Sequence, residues 1–565
     1  MRRFAPVLVL CAVAFVVGSV VGARHMSPGQ RHVERFAAAW QHGNYAAMYA
    51  ELTDADRAKL SRVRFSRAYE DATDTATAQR VRADRPRRDG DVYRVPMRIA
   101  TRIFGTVDGE LVLPASDAGV QWSPELVFPG LAQGERLTRV TRMPPRATLL
   151  ARDRTVLAQG DDRGSPSPVA GQVVGQLGPI PPERRDELAR MGVPSDALVG
   201  VTGLERIFDT RLVGDPGGEL LAGGRVIGRS APRQAPAVRT TISLPVEEAA
   251  ATALTGRLGG VVVLQPRTGE VLAFAGIAFS GLQPPGSTFK IVTATAALAA
   301  GITSPSKAYP VQTKTTIEGV DLENANGESC GGTLTMSFAR SCNSVFAPLG
   351  AQIGAKRLVR TAEAFGFNHP PDIVGAAQST IPPADEIGDA LAVGSSAIGQ
   401  GRVQATALQM ATVAATIGRG GRRPRFTLDY ATAHGRPLRT TRATSPRVAR
   451  TVERLMLAVV QVGTGVSAAI GGVPVAGKTG TAELRTTTRC QPDPQDPSAC
   501  PPEQQHNDPT DTDAWFAAYA PAGRGTPRVA VGVLLVASGA GGDTAAPAAR
   551  QVLVAALKAT AAAGR

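Results

Sequence analysis

Three short motifs in the C-terminal half place the strongest constraint on what this chain can fold into. In chain order they are Ser287-Thr-Phe-Lys290, Ser341-Cys-Asn343 and Lys478-Thr-Gly-Thr481. They supply a hydroxyl with a neighbouring amine, a hydroxyl–amide pair, and a cation with hydroxyls beside a glycine. Each motif is weak alone, but the ordered set contains what acyl transfer through a serine ester needs. We therefore expect the fold to bring these distant segments into one site.

The first motif predicts a nucleophile and its base. Ser287 and Lys290 are three positions apart, so on a helix they share one face. Residues 284–286 (Pro-Pro-Gly) mark the start of such a helix, and small and apolar residues follow them. Ser287 would then lie in the first turn, where free backbone N–H groups favour negative charge. A buried lysine loses its charge readily, so Lys290 is suited to take the serine proton.

A second S-x-x-K sequence, Ser304-Pro-Ser-Lys307, serves as an internal comparison. Pro305 lies inside it, and the Gly, Thr, Ser and Pro residues around it indicate a turn with no helix behind it. We therefore interpret Ser304 as part of an exposed turn. The chain has only seven lysines, and Lys290 and Lys478 both fall in the motifs, which argues against coincidence.

In this order the motifs resemble those of the penicillin-binding proteins and serine β-lactamases. The surroundings of Ser287 and Lys478, together with Gly399-Gln400-Gly401 and Ala514-Trp515-Phe516, are similar to segments of class B high-molecular-weight transpeptidases. The resemblance covers residues 259–565. It implies a multidomain α+β fold, whose transpeptidase domain has an antiparallel sheet flanked by helices. It also implies a peptidoglycan D,D-transpeptidase that cross-links stem peptides through an acyl-serine and is inhibited by β-lactams.

The resemblance assigns catalytic roles to three residues. It implies that Ser287 attacks the carbonyl of the penultimate D-alanine of a stem pentapeptide and that Lys290 is the general base. Ser341 is expected to relay protons to the leaving group. The backbone N–H groups of Ser287 and Thr481 are expected to form the oxyanion hole.

The same resemblance assigns substrate binding to the second and third motifs. Asn343 would hold the peptide amide of the substrate, and Lys478, Thr479 and Thr481 would receive its terminal carboxylate. The residue types agree, because recognition of a free carboxylate needs a fixed cation. Gly480 leaves a strand position without a side chain, so a peptide can approach and add as an extra strand. Simpler interpretations stay open, namely a strand end for the third motif and a helix cap for the second.

The first 26 residues predict a cytoplasmic tip and a transmembrane anchor. Residues 4–23 carry no charge and are long enough to span a bilayer. Arg2 and Arg3 precede them, which predicts a single-pass anchor in a bacterial cytoplasmic membrane with the bulk of the chain on the extracytoplasmic face. A cleaved signal peptide is the alternative.

Three further domains are expected after the anchor. Residues 27–145 form an α+β unit whose end resembles the nuclear-transport-factor-2-like (NTF2-like) spacer of methicillin-resistance-type penicillin-binding proteins. Residues 146–250 resemble a pedestal, or dimerisation, domain through Gly203-Leu-Glu205, although Ala147 and Ala151 replace the glycine and aspartate usual at its start. Residues 251–565 form the penicillin-binding transpeptidase domain.

Four cysteines follow the predicted anchor. Cys490 and Cys500 lie in a polar, Pro-rich insertion at 484–513 and are the natural disulfide pair in an oxidising compartment. Cys330 and Cys342 are a second candidate pair, which would brace the segment of Ser341. We interpret the insertion as a surface loop, with a lid over the acceptor side as the alternative.

Charge and composition argue against other binding classes. The net charge of +14 is spread along the chain without a nucleic-acid motif, so it favours anionic lipids or acidic wall polymers over nucleic acid. The six histidines include no His-Glu-x-x-His and no Cys/His cluster, so no metal and no cofactor is expected. The expected partners are stem peptides, β-lactams, the cytoplasmic membrane, and membrane proteins of the division or elongation complexes.

Three other kinds of protein compete with the transpeptidase, namely a hydrolase, a membrane receptor and a non-catalytic scaffold. A D,D-carboxypeptidase or β-lactamase would use the same chemistry, but we find no deacylating base, and β-lactamases are small and lack spacer domains. A membrane β-lactam receptor would need a cytoplasmic output domain, and few residues precede the predicted span. A non-catalytic scaffold would be expected to lose Ser287, Lys290 or Lys478, and all three are present. Septation, elongation and β-lactam resistance stay open as roles.

Overall fold

The computed structural model describes residues 26–483, 488–490, 505–507, 512–523 and 525–562, which form two compact units. The first unit comprises residues 26–147, Leu177–Val201 and Thr210–Pro236. The second comprises Thr148–Gln176, Thr202–Asp209 and the described residues from 237 onward. Segments of the predicted pedestal therefore belong to both units, and the boundaries at 145 and 250 stay predictions.

The predicted anchor at residues 4–23 lies outside the described residues. Among the helices that the structure does describe, none combines the length and the apolar character needed to cross a bilayer. The anchor therefore stays a prediction.

The first unit begins with four helices followed by strands. Each helix starts after a residue whose side chain accepts a hydrogen bond from a first-turn backbone N–H, namely Ser27, Asn44, Thr53 and Ser61. In chain order the elements are α1 (Pro28–Gln41), α2 (Tyr45–Ala50), α3 (Asp54–Lys59), α4 (Arg62–Ala76), β1 (Ala78–Ala83), β2 (Arg87–Asp89), β3 (Val92–Thr101), β4 (Thr106–Ser116), β5 (Gly119–Val120) and β6 (Leu137–Arg142).

Strands β1 to β5 form one antiparallel sheet, with β3 between β1 and β4. Alternate residues of β3, Tyr93, Val95 and Met97, are buried, as the period of a half-buried strand requires. They share a hydrophobic core with Phe36 of α1 and Phe65 of α4. Residues 27–145 thus contain both helices and strands, as the predicted α+β unit requires.

Residues 148–239 contribute short elements to both units. In the first unit β6, β11 and β12 form an antiparallel sheet and β9 pairs with β10, whereas β7, β8 and β13 pair in the second unit. The elements are β7 (Leu149–Leu150), β8 (Val156–Ala158), α5 (Ala170–Val174), β9 (Leu177–Gly178), α6 (Arg185–Arg190), β10 (Val199–Gly200), α7 (Gly203–Ile207), α8 (Asp209–Leu212), β11 (Gly217–Ala222), β12 (Arg225–Ser230) and β13 (Val238–Arg239).

The remaining elements build the rest of the second unit. They are α9 (Leu244–Leu254), β14 (Gly259–Gln265), β15 (Glu270–Gly276), α10 (Lys290–Ala299), β16 (Ala308–Gln312), β17 (Lys314–Ile317), β18 (Val320–Glu323), β19 (Cys330–Thr333), α11 (Leu334–Ala339), α12 (Asn343–Ile353), α13 (Ala355–Phe365), α14 (Ala390–Ala397), α15 (Ala407–Gly418), β20 (Arg422–Pro424), α16 (Tyr430–Gly435), β21 (Thr440–Arg442), α17 (Pro446–Val462), β22 (Ala476–Glu483), β23 (Thr488–Cys490), β24 (Gln505–Asn507), β25 (Thr512–Ala520), β26 (Val529–Leu535) and α18 (Ala545–Ala562).

A five-stranded antiparallel sheet organises the second unit in the order β15-β14-β26-β25-β22. Helices α9 and α18 pack on one face of it and α15 on the other, so β25 and β26 are buried along their whole lengths. Among the described strands, β22 pairs with β25 alone and forms an edge. The predicted antiparallel sheet flanked by helices is confirmed.

Candidate active site

Ser287 lies in a single 3-10 turn, Gly286–Phe289, that leads directly into α10. Gly286 has a φ of +50°, and a Cβ atom there would lie 2.6 Å from the carbonyl oxygen of Thr481, so both conformation and space require glycine. Ser287 itself is half-buried. The predicted placement of Ser287 at a helix start is confirmed, with a tighter turn than an α-helix at the serine.

Lys290, the first residue of α10, is fully buried. Its Nζ atom donates to the carbonyl oxygen of Ser341 at 2.6 Å and to Oδ1 of Asn343 at 2.7 Å, and it lies 3.4 Å from Oγ of Ser341. Burial, and then the nearby charge of Lys478, hold the pKa of Lys290 well below its ordinary value. The first and second motifs therefore meet through an amine that is biased toward its neutral form.

Ser341 lies between two buried lysines. Nζ of Lys478 donates to Oγ of Ser341 at 2.8 Å and to the carbonyl oxygen of Thr479 at 3.1 Å. Lys478 is also fully buried, and this burial lowers its pKa to about 7. Ser341 has a φ of +65°, a left-handed conformation that is unusual for a residue other than glycine. All three motifs thus converge on the hydroxyl of Ser341.

The hydroxyl of Ser287 has no hydrogen-bond partner among the described residues, so it is not bonded to Lys290 in this structure. Two donors of Lys290 are directed instead to Ser341 and Asn343. Catalytic hydrogen bonds are often long before a substrate binds, so this arrangement is compatible with a base that reaches the serine in the complex.

The third motif lies on the edge strand β22, packed against the turn of Ser287. A Cβ atom on Gly480 would lie 2.8 Å from the carbonyl oxygen of Pro285 and 2.9 Å from Cβ of Trp515. The sequence predicted that this glycine lets a peptide approach the strand, and that role stays a prediction. The missing side chain also lets β22 pack tightly against the turn of Ser287.

The threonine hydroxyls of β22 are held by residues outside the motifs. Oγ1 of Thr479 lies 2.6 Å from Oγ1 of Thr464, and Oγ1 of Thr481 accepts a hydrogen bond from the backbone N–H of Gly541 at 3.3 Å. Motif reasoning missed Thr464 and Gly541. Only the Gly-Thr-Gly turn at 463–465 and the Gly-Gly pair at 541–542 hint at close packing in these places.

The structure contains a disulfide between Cys330 and Cys342, so β19 is tied covalently to the second motif. The other candidate pair, Cys490 and Cys500, lies outside the residues whose side chains are described. Most of the insertion at 484–513 is also outside the described residues, apart from β23, β24 and the start of β25. Its roles as loop or lid stay predictions.

Among the described residues, no group of three His, Cys, Asp or Glu side chains is placed to hold a metal ion. The chemistry available at the site is that of hydroxyls, two amines of lowered pKa, an amide and backbone N–H groups. These groups are suited to moving protons and to binding a carboxylate.

The fold and the site define a class of proteins in which a Ser–Lys turn faces an edge strand that bears a second buried lysine. Residues 259–554, more than half of the chain, match the penicillin binding protein transpeptidase domain. Residues 28–135 match the NTF2-like N-terminal transpeptidase domain, as the sequence predicted. The chain therefore belongs to the penicillin-binding protein transpeptidase family.

Named relatives and solved structures agree with this family and with its class B branch. The peptidoglycan D,D-transpeptidase PbpA of Mycolicibacterium smegmatis is 37% identical over 426 residues, which cover 63% of this chain and 80% of that protein. The crystal structure of PBPA from Mycobacterium tuberculosis matches at 29% identity with a TM-score of 0.56, covering 73% of this chain and 99% of that one. Its penicillin G acyl-enzyme complex matches at 30% identity with a TM-score of 0.55, covering 73% and 99%.

Proposed function

We propose that this protein is a peptidoglycan D,D-transpeptidase that cross-links stem peptides through an acyl ester on Ser287, and that β-lactams inhibit it by acylating the same serine. The observation that carries the proposal is the position of Ser341 between two buried lysines, Lys290 and Lys478, beside the turn of Ser287. A relative named as a D,D-transpeptidase and a penicillin G acyl-enzyme complex of a similar protein support it.

Acylation begins at the hydroxyl of Ser287, which needs a base within reach. The neutral amine of Lys290 accepts the serine proton as Oγ bonds to the carbonyl carbon of the penultimate D-alanine. The oxyanion that forms is held by the backbone N–H groups of Ser287 and Thr481. The C–N bond then breaks, and Ser341 passes a proton to the leaving D-alanine, because its Oγ contacts both lysines.

Substrate binding uses the edge of β22. A stem peptide adds alongside the strand through backbone hydrogen bonds, since β25 occupies only one side of β22. Lys478, with the hydroxyls of Thr479 and Thr481, receives the terminal carboxylate. Asn343 already binds Lys290 through Oδ1, and the second lone pair of that oxygen is offered to an amide of the substrate.

The second half-reaction transfers the acyl group to an amine of a neighbouring stem, which attacks the ester carbon and releases Ser287. A hydrolase of this kind needs a base that activates water. Among the described residues, no carboxylate forms an ion pair with Lys290 or Lys478, whose recorded partners are hydroxyls, carbonyls and the amide of Asn343. This supports the transpeptidase over a β-lactamase.

The proposal includes the setting of the enzyme. Residues 1–26 anchor it in a bacterial cytoplasmic membrane with the catalytic part outside, as the uncharged run after two arginines indicates. Residues 27–145 act as an NTF2-like spacer, residues 146–250 as a pedestal, and residues 251–565 as the transpeptidase domain. Membrane proteins of the division or elongation complexes are its proposed partners.

The test is incubation of residues 26–565 with a fluorescent penicillin, followed by intact-mass measurement, beside the variant Ser287→Ala. We expect one stable adduct per molecule that is absent in the variant. The matched control is Ser304→Ala, in the second S-x-x-K sequence, which should be acylated like the unchanged protein.

An adduct that disappears within seconds would favour a β-lactamase over a transpeptidase. A wild-type protein without any adduct would contradict acylation at Ser287. Release of D-alanine from a stem pentapeptide together with formation of a cross-linked dimer would separate the transpeptidase from a carboxypeptidase, which releases D-alanine alone.

A further inference from the structure

A short segment outside the three motifs is bonded to residues 342–344, which comprise the last two residues of the second motif and the one after it. The segment runs from β18 to the first residue of β19, residues 320–330, and we call it the strap. Nδ2 of Asn343 donates to the carbonyl oxygen of Glu323 at 2.8 Å, and the backbone N–H of Ser344 donates to Oδ1 of Asn324 at 2.9 Å. Cys330 is joined to Cys342 by the disulfide. Residues 342, 343 and 344 are therefore each bonded to the strap.

Asn324 is the central residue of the strap. It is buried, with 5% of its surface exposed, and its Nδ2 donates to the carbonyl oxygens of Gln312 at 2.8 Å and Glu328 at 3.0 Å. Its backbone N–H donates to the carbonyl oxygen of Thr313 at 2.8 Å. One side chain thus closes the strap on itself and also binds the start of α12.

The residue next to this attachment needs such support. Ser341 is held in a left-handed conformation, which is unfavourable for a residue with a Cβ atom and persists only where surrounding contacts fix it. The acceptors of the Lys290 amine are the carbonyl and Oγ of Ser341 and Oδ1 of Asn343, and all three belong to this short stretch. A displacement of the stretch would remove the partners of Lys290.

We propose that Asn324 is a positioning residue for acyl transfer, which acts with the Cys330–Cys342 disulfide to hold Ser341 and Asn343 against Lys290. This rests on the proposed function. Asn324 does not contact the substrate or Ser287. It fixes the backbone on which the second motif is presented, and the disulfide makes that fixation sensitive to reduction.

The first experiment compares the rate constant of acylation by a fluorescent penicillin in the unchanged protein, Asn324→Ala and Asp321→Asn. Asp321 is an exposed strap residue whose side chain binds Lys314 and Thr316 of the same hairpin, so its variant perturbs the strap without removing a bond to residues 342–344. We expect Asn324→Ala to slow acylation by about tenfold or more, as loss of one buried polar partner implies, and Asp321→Asn to match the unchanged protein.

The pH profile separates positioning from loss of folded protein. The charged amine of Lys290 donates hydrogen bonds to Ser341 and Asn343, which Asn324→Ala would displace. Lys478 of β22 is a charged group that faces this amine. Loss of acceptors disfavours the charged form, so the acid limb of the acylation profile should move to lower pH in Asn324→Ala. A smaller folded fraction would lower the whole profile without moving this limb.

Reduction gives an independent measurement. Dithiothreitol should slow acylation of the unchanged protein to the rate of Cys330→Ser, and it should leave Cys330→Ser unaffected. Thermal unfolding of every variant, measured in parallel, identifies any that is not folded at the assay temperature.

The outcomes are distinct from those that test the proposed function. If the unchanged protein forms no adduct, acylation at Ser287 fails. If it forms the adduct, and Asn324→Ala reacts at the same rate or with an unshifted acid limb, the positioning role of Asn324 is overturned. Equal slowing in Asp321→Asn would also overturn it.

Discussion

At the scale of single residues, Lys478 contacts Ser341, a proposed catalytic residue, and its own charge depends on pH. It is fully buried and hydrogen-bonds to Ser341 and Thr479. Burial lowers its pKa to about 7, so the charged form declines as pH rises through that value. Under the proposed function a carboxylate ligand binds the charged form of Lys478, and its binding should therefore weaken on the alkaline side.

We expect the non-covalent affinity of Ser287→Ala for benzylpenicillin to fall by up to about tenfold per pH unit above about pH 7, because the protonated fraction of Lys478 falls at that rate. Equilibrium titration between about pH 6 and about pH 9 measures the effect. The double variant Ser287→Ala with Lys478→Gln should show weak binding without this slope. An equal slope in both proteins would assign the titration to another group.

The sequence motifs predicted which residues meet at the site, but they did not predict the contacts that hold those residues in place. The positions of Ser287, Lys290, Ser341 and Lys478 follow from sequence because each motif needs specific chemistry at short spacing. Contacts such as the one between Thr464 and Thr479 could not be predicted, because they depend on how distant segments pack. The function of a glycine has the same dependence, since only the structure shows what its missing side chain would meet.

At the scale of elements, β22 packs closely against the turn of Ser287, Gly286–Phe289. Adding one methyl group at this contact should disturb it. The substitution Gly480→Ala would place a Cβ atom 2.8 Å from the carbonyl oxygen of Pro285. We expect a loss of about 1–3 kcal/mol of stability from overpacking and a larger loss of acylation, because the turn of Ser287 must move. Gly471→Ala, where a Cβ meets nothing within 4 Å, is the control.

Unfolding free energies and acylation rates of both variants measure this effect. Wild-type stability and acylation in Gly480→Ala would contradict the packing argument.

The attachment of α9 to β15 includes a buried carboxyl group, Glu247, which accepts a hydrogen bond from the backbone N–H of Phe274 at 2.9 Å. Burial raises its pKa from 4.5 to about 8. The folded state therefore binds more protons than the unfolded state between these values, and stability should fall as pH rises through this window. Glu247→Gln should remove that component and gain about 2–4 kcal/mol at pH 8.

Chemical denaturation at pH 5 and pH 8 checks this expectation. The exposed neighbour Glu248, replaced by Gln, should leave the pH dependence unchanged. A pH dependence in Glu247→Gln that equals the one in the unchanged protein would show that Glu247 does not titrate in this range.

Regular elements were predictable where local patterns repeat. The hairpin β14–β15 follows from two apolar runs around a Pro-Arg-Thr-Gly turn, and α1 follows from its apolar spacing. The burial of Glu247 was not predictable, because a glutamate in a helix normally faces solvent. Its burial depends on packing against β15, where the backbone N–H of Phe274 binds it.

At the scale of the whole molecule, the second unit includes a segment that the predicted domain boundary at 250 would exclude. Arg152 lies in Thr148–Gln176, and its guanidinium is 3.3 Å from Oε1 of Glu270, which is fully buried and also contacts His434 at 3.2 Å. Truncation at 250 would remove the guanidinium and leave Glu270 with His434 and the hydroxyl of Thr268. The composition of each unit could not be read from sequence, because the two units alternate along residues 148–236.

We expect Arg152→Ala to destabilise the protein by about 3–5 kcal/mol, because it leaves a buried carboxylate without its permanent charge partner. Arg233→Ala breaks an exposed ion pair with Asp215 and should cost no more than about 1 kcal/mol. Urea unfolding monitored by fluorescence compares the two. Equal losses of unfolding free energy would mean that the ion pair between Arg152 and Glu270 stabilises the protein no more than an exposed ion pair does.

The open edge of β22 limits which mutations can weaken the binding of an inhibitor at this site. Under the proposed function, ligands are recognised partly by main-chain N–H and C=O groups of residues 476–483, which β25 leaves free on one side. Every residue except proline retains both groups, so among amino-acid replacements only proline would remove an N–H group from this edge. Mutations that weaken an inhibitor resembling a peptide strand would therefore mainly change the shape of the space beside β22 or the access to it. Such changes would also affect binding of the natural substrate.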